Sequence, residues 1–319
     1  MSDLSDVENT PASVVGRVQR IFRYPVKSMT GEELTECELD DKGMVGDHLW
    51  ALVEVATGKL ANAKNPRKWG KLLSFRAAYV EEPRAGGKTP PIAITFPDGS
   101  VARSDSDNID VLLSKALGIE VHLSTMEDVP STKAEMIWHP MLGDNAFARM
   151  GSENEHGEHQ IDFDLYGAEG RSYDLGALHI MTTSSLEHVR SLNPDATFDA
   201  RRYRPNFVLD TSESGFVESG WVGKKLHLGD TTSTVIMNTV RCIMTTLPRE
   251  ELPLDRATLR ALVKHNTRLV EPFGDWACLG IYSNVTGTGT ISIGSTAAVS
   301  ELQEEDVDSC GDTTAPASA

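Results

Sequence analysis

Runs of β-forming residues in this chain are short, and each is closed by turn chemistry. Val15 to Tyr24 stops at Pro25, and Leu49 to Val55 stops at Thr57-Gly58. Ile92 to Phe96 runs into Pro97-Asp98-Gly99, a hairpin turn towards Ser100 to Arg103. Leu72 to Val80 and Ile119 to Thr125 extend the same pattern. Further on, strands are predicted at 178–183, 207–210, 225–228, 233–237, 240–246, 278–284 and 290–293. Few stretches carry helical periodicity. One runs from Asp107 to Leu117, capped by Ser106 or Asp107 and ended by Gly118. A second follows Ser184 and Glu187, a capping box, and a third starts near Asp255 with Leu259, Leu262 and Val263 on one face. Many short strands with few helices bury their apolar faces by closing on themselves. The fold class is therefore mainly β, with a β-barrel at its centre.

The organisation follows from where this pattern fades. A polar, acidic N-terminus (1–13) precedes a smaller β-domain at 14–126. Residues 127–170, rich in Pro, Gly and carboxylates, read as an acidic connection. The main barrel domain spans 171–299, and an acidic tail (300–319) follows. His156 and His159 lie in the connection among Glu153, Glu155, Glu158, Asp162 and Asp164, which reads as a solvated acidic loop rather than a metal site.

Bulk properties exclude several functions. A net charge of −17 argues against nucleic acid as a partner. No apolar run is long enough to span a bilayer, and the acidic N-terminus resembles neither a secretory signal nor a transit peptide, so a cytoplasmic location is expected with no membrane partner. Four cysteines, Cys37, Cys242, Cys278 and Cys310, lack any CxxC or zinc-type spacing. Cys37, Cys278 and Cys310 carry no predicted role; Cys278 reads as core.

Chemistry concentrates in two segments. Val240-Arg241-Cys242-Ile243-Met244-Thr245-Thr246 puts one cysteine mid-strand beside an arginine. A cationic neighbour favours the thiolate, a soft metal ligand. Upstream, Arg201-Arg202-Tyr203-Arg204-Pro205-Asn206-Phe207 enters an apolar strand with a cluster of guanidiniums suited to a phosphate or other dianion. Thr182 and Thr183 end a strand at a helix start, where hydroxyls and free amides suit an oxyanion.

These two segments, with Tyr24-Pro25-Val26-Lys27-Ser28 upstream, resemble the MOSC proteins, molybdenum-cofactor carriers and enzymes. The pattern is most similar to their amidoxime-reducing branch, mitochondrial and bacterial. The resemblance runs from about Val14 to Val299 and implies an N-terminal MOSC β-domain followed by a MOSC barrel. It implies molybdenum-molybdopterin as cofactor, Cys242 as catalytic residue and molybdenum ligand, and contacts to the pterin and its phosphate from Arg204 and Asn206, with Arg202 within reach of the same anion. It also implies cofactor contacts from Lys27 and Ser28, and from Arg241 beside the ligand. Leu279-Gly280-Ile281-Tyr282 is similar to the family strand near the cofactor, which brings in Tyr282, with Gly280 allowing close approach of a ligand to the backbone. In Gly46-Asp47-His48-Leu49-Trp50 a histidine, His48, stands where many members have an arginine, and Val240 stands where amidoxime reducers have a serine.

The activity implied is oxygen-atom-transfer reduction of N-hydroxylated or N-oxide-type small molecules, with electrons from a separate haem or flavin/iron–sulfur protein. Two alternatives stay open: a cofactor carrier or sulfur-transfer module without its own redox turnover, and a cofactor-free enzyme that has reused the barrel. The aminotransferase-like domain of cofactor sulfurases is not recognisable here, so pyridoxal phosphate is not expected.

Overall fold

A computed structural model describes residues 12–137, 158–162, 170–271 and 274–303. The chain opens with β1 (Ser13–Arg23), β2 (Glu32–Leu34), β3 (Glu36–Asp40), β4 (Gly43–Met44) and β5 (Trp50–Glu54). Helix α1 (Pro66–Trp69) and a 3-10 turn (Gly70–Ser74) lead to β6 (Arg76–Tyr79), β7 (Ile92–Thr95), β8 (Val101–Arg103), α2 (Ile109–Leu117) and β9 (Val121–Thr125). After β10 (Lys133–Ile137) and β11 (Glu158–Asp162) come β12 (Leu178–Thr182), α3 (Thr183–Leu192), α4 (Ala200–Tyr203) and β13 (Phe207–Thr211). The last part holds β14 (Lys224–Leu228), β15 (Thr231–Val240), α5 (Ala257–His265), β16 (Thr267–Val270), β17 (Gly274–Gly287), β18 (Gly289–Ser292) and β19 (Thr296–Glu301).

Seven strands close into a barrel in the order β12-β13-β1-β19-β14-β15-β17, with β17 returning to pair β12. All contacts are antiparallel except β12–β13. Period-two alternation decides which side chains fill it. Phe207 and Leu209 of β13 point into the interior with Val18, Ile21, Ile180, Leu226, Val235 and Ile281. Val208 between them faces outward and packs with Met181 and Leu279 against Leu186 of α3 and Leu259 and Leu262 of α5. A separate core around Trp69, Phe75, Leu113 and Leu123 serves the N-terminal β-domain.

The mainly-β expectation holds, and several local readings change. β1 is a barrel stave, paired with β13 and β19, although it lies in the segment read as the smaller domain. The connection contains a ladder, β10 with β11, whose Ala134 and Ile161 pack on Ala51, Val53 and Leu60. Its apolar positions were too few to stand out among the carboxylates. The stretch read as one strand from Leu72 begins as a 3-10 turn that buries Leu72 and Leu73 before β6. Helix α2 starts after Asn108 without a side-chain cap, not at Ser106 or Asp107, and its first-turn Asp110 accepts from Leu123 N–H at 2.8 Å and pairs with His122. Helix α3 is capped by Thr182, not Ser184, whose hydroxyl turns to Thr211 and Glu213. On α5, Leu259 and Leu262 are buried but Val263 is 37% exposed. His156, Glu153, Glu155, Asp164 and Cys310 lie outside the described residues. His159 is in β11, buried opposite Met136. Among the described residues no helix is long and apolar enough to cross a membrane, and no group of three or more His, Cys, Asp or Glu is placed to hold a metal.

Candidate functional site

At one end of the barrel a cleft opens between the start of β12, the end of β15, Tyr282 of β17, the Arg204 turn before β13 and the Asp47-His48 turn. Of the predicted site residues, Cys242, Arg202, Arg204, Asn206, Arg241, Tyr282 and His48 all line it. Lys27 reaches its wall through Asp174, at 3.7 Å. Ser28, Thr182 and Thr183 do not line it.

Cys242 is not mid-strand. β15 ends at Val240, after a ladder with β17 that shifts register repeatedly. Cys242 is extended (φ −113°, ψ −177°) and leads straight into a 3-10 turn, Ile243–Thr246. Thr245 closes that turn through its hydroxyl, which donates to Cys242 O at 3.0 Å, and Thr246 repeats the contact one residue on. The thiol is free and partly buried. Burial raises its pKa; Lys64 is the foremost charge opposing that rise, with Arg241 a smaller influence. From its place in the sequence Arg241 is the expected activating cation, but its guanidinium is engaged elsewhere. It donates to Leu279 O, to Tyr203 O at 3.1 Å and to Nε2 of His179.

The other arginines differ in their engagement. Arg202 is buried and donates to three carbonyls, Thr197 O, Leu247 O and Pro253 O, so it ties the 247–253 loop to the site's rear wall. Arg204 has a left-handed backbone (φ 56°) that ends α4 and swings its side chain over the Tyr24 ring, 4.1 Å from the centroid. It donates to Met29 O, and its Nη2 is buried without a hydrogen-bond partner. Asn206 spends its amide inside the protein: Nδ2 donates to Asp47 Oδ2 at 3.1 Å, while Oδ1 accepts from His179 N–H at 2.9 Å.

Asp47 organises the opposite wall. It accepts from Tyr24 N–H at 2.6 Å and pairs with His48 Nδ1 at 2.7 Å. Burial pushes its carboxyl up, but His48 and these donors hold it below the ordinary aspartate value. His48 sits at φ 54°, with its ring against Tyr173. Ser28 (φ 66°) uses its hydroxyl to accept from Ala63 N–H. Among the described residues only four non-glycines have positive φ, and Ser28, His48 and Arg204 are three of them. Each such residue costs on the order of 1–3 kcal/mol, and such strain gathers where a site needs it.

Thr182 and Thr183 serve the fold. Thr182 caps α3 and donates to the buried Glu218 at 2.7 Å; Thr183 bonds Asp210 and Thr211. Gly280 (φ 83°) makes room for neighbouring strand backbone, since a Cβ there would sit 2.6 Å from Ile180 O. Tyr282 packs on His179 and leaves no space for a side chain at Gly176.

A free thiol at a barrel end, faced by a strained arginine with an idle donor, carries the pattern that the sequence resemblance named, and comparison with known families decides it. Residues 15–118 match the MOSC N-terminal beta barrel domain and residues 171–298 match the MOSC domain. The chain belongs to the MOSC family. Over 296 residues this MOSC chain is 20% identical to mitochondrial amidoxime reducing component 2 of Rattus norvegicus, covering 88% of this chain and 82% of the relative. Among solved structures, the YUAD protein of Bacillus subtilis aligns at TM-score 0.43 with 10% identity, over 92% of this chain and 97% of that one. YiiM from Geobacillus stearothermophilus aligns at 0.28 with 14% identity, over 58% and 70%.

Several residues in or beside the MOSC cleft, Asp47 among them, escaped the sequence reading. His179 sits in the wholly buried strand β12, where it looks like one polar interruption of an apolar run. Tyr173 and Asp174 lie in an irregular loop with no local signal. Lys64, 2.8 Å from Asp174, comes from the N-terminal β-domain. Burial pushes Asp174 up, but Lys64 and Lys27 hold it well below the usual carboxylate range.

Proposed function

We propose that this MOSC protein is a molybdenum-cofactor-binding oxidoreductase that reduces N-hydroxylated or N-oxide-type small molecules, with Cys242 as the protein ligand to the metal. MOSC domains are associated with molybdenum-cofactor binding, and the rat relative is by name an amidoxime reducing component. The observation that carries the reading is the free Cys242 thiol lining the same cleft as Arg204, whose buried Nη2 has no partner. A soft ligand and an idle guanidinium donor around one cleft fit a phosphorylated, metal-bearing group.

Bound there, molybdopterin would supply two-electron oxygen-atom-transfer chemistry, turning an N–OH compound, two electrons and two protons into an N–H compound and water. The electrons would come from a separate haem or flavin/iron–sulfur protein. The chain's own part is to hold and to supply protons. Arg204 Nη2 would take an anionic oxygen of the cofactor. Arg241 and Asn206 act from behind, fixing His179 and Asp47 and with them the walls. Lys27, whose pKa burial lowers to about 7, can release a proton from Nζ near neutral pH, while Asp174, which stays ionised, holds that Nζ beside the cleft.

The test is molybdenum content, by elemental mass spectrometry, of protein from a host that makes molybdopterin, beside Cys242→Ser. The expected outcome is near-stoichiometric metal in the wild type, amidoxime turnover with an electron donor, and no turnover in a folded Cys242→Ser protein. Persulfide on Cys242 without molybdenum would replace this reading by sulfur transfer. Absence of both metal and pterin would overturn it in favour of a repurposed barrel.

A further inference from the structure

Behind Arg204 lies a second cavity, and Arg204 lines both it and the cleft. Five arginines border this second space: Arg20, Arg76, Arg201, Arg204 and Arg249. That is a concentration of cations in a chain whose net charge is −17. Three of them are answered by carboxylates. Arg20 forks onto Glu33 at 2.6 and 2.9 Å. Arg76 pairs with Glu250, and Arg201 pairs with Asp199, Glu250 and Glu251. Glu33 and Glu250 also line the cavity.

The remaining two are not answered. Arg249 is 2% exposed; it donates to Arg201 O at 3.0 Å and to Met244 O, and its Nε has no partner. Arg204 donates to Met29 O, and its Nη2 has none. Among the described residues neither forms a salt bridge with a carboxylate. Burying a guanidinium without a counter-charge is costly, and two in one enclosure repel each other. Burial lowers the pKa of Arg249 to about 9, and Arg204 and Arg202 add to that shift. The chain nevertheless fixes Arg249 firmly: its backbone forms paired hydrogen bonds with Leu252 at 2.8 and 3.0 Å, and Arg202 anchors the same loop through Pro253 O. A loop held this well, with an idle guanidinium donor on a residue that borders the cavity, is organised for something that arrives from outside.

We propose that this cavity is a binding site for a small oxyanion, a phosphate or carboxylate group, held by Arg249 and Arg204. A tetrahedral or planar oxyanion matches the two idle N–H donors and cancels the repulsion between them. The anion is either a free small molecule or an anionic group of a larger ligand reaching past Arg204. Arg249 belongs to this cavity alone, whereas Arg204 is shared with the cleft and with the cofactor role proposed for it there.

The test uses cofactor-free full-length protein titrated with inorganic phosphate, read by calorimetry and by melting temperature, with sodium chloride at matched ionic strength as the control. Phosphate should bind with one site and raise the melting temperature. Arg249→Met should weaken that binding roughly tenfold or more, and Arg249→Lys less, because charge remains and the fork is lost. Arg249 does not line the Cys242 cleft, so loss of phosphate binding in its variants locates the anion in the second cavity. Repeating the titration on cofactor-loaded protein separates the two sources: competition marks a group of the cofactor itself, and undiminished binding marks a free anion. Absent phosphate binding, or identical binding in wild type and Arg249→Met, overturns the proposal.

Discussion

Arg241 donates a hydrogen bond to Nε2 of His179, joining the end of β15 to β12 across a separation of 62 residues. The other ring nitrogen, Nδ1, lies 3.1 Å from Arg204 O. A carbonyl only accepts and a guanidinium only donates, so His179 is neutral with its proton on Nδ1. Burial and the adjacent Arg241 charge drive its pKa well below the ordinary histidine value. The imidazole thereby couples the cation next to Cys242 to the backbone of the cation that faces the cleft.

This tautomer has a measurable consequence. The unfolded chain takes up a proton on His179 as pH falls through about 6.5, while the folded protein does not. Below that pH the unfolded state binds more protons, so this group lowers stability on acidification, by up to ~1.4 kcal/mol per pH unit. Nitrogen NMR of the folded protein at pH 5.5 should show His179 neutral and protonated on Nδ1. An imidazolium signal there would refute the arrangement.

The thiol gives a second expectation. Lys64 is the foremost charge lowering the Cys242 pKa, and Asp174, held 2.8 Å from Lys64, raises it. Lys64→Met should slow iodoacetamide alkylation of Cys242 at pH 8 several-fold, and Asp174→Asn should speed it. Conservative change at Arg241 should matter less, since its guanidinium faces His179. Equal rates in wild type and Lys64→Met would return the activating role to Arg241.

How much of this was readable in advance depends on how far each contact reaches along the chain. The barrel was legible because turn chemistry cuts the β-forming runs locally, as at Pro97-Asp98-Gly99. Cys242, Arg204 and Asn206 were legible because their neighbours form compact motifs. Asp174, Lys64 and His179 were not, because their meaning comes from partners on distant elements. The same distance misled in the other direction: Thr182 and Thr183 look like an oxyanion cradle until Glu218, 36 residues away from Thr182, takes the hydroxyl.

Asn206 tests whether a motif residue holds a ligand or the fold. Its amide joins Asp47 to the His179 backbone. Asn206→Ala leaves Asp47 and the His179 N–H each short of a buried partner, at about 1–3 kcal/mol apiece. Urea unfolding of cofactor-free protein should therefore show a loss of roughly 2–6 kcal/mol. Unchanged stability, with cofactor loading alone impaired, would assign Asn206 to the ligand instead.

Lys27 is buried with Nζ 2.8 Å from Ser172 O and 3.7 Å from Asp174. Burial pulls its pKa down to about 7, against the opposing pull of Asp174. The folded protein gives up this proton near pH 7, whereas the unfolded chain keeps it until about 10.4. Between those values the unfolded state binds more protons, so the contribution of Lys27 to stability grows as pH rises. The cost of burying the ammonium is present in full below pH 7 and is relieved above it. Lys27→Met carries no titrating group, so wild-type stability minus variant stability should climb by roughly 1–2 kcal/mol between pH 7 and 9 in urea unfolding. A flat difference across that range would mean that Lys27 keeps an ordinary lysine pKa, and the proton it is proposed to release would have to come from elsewhere.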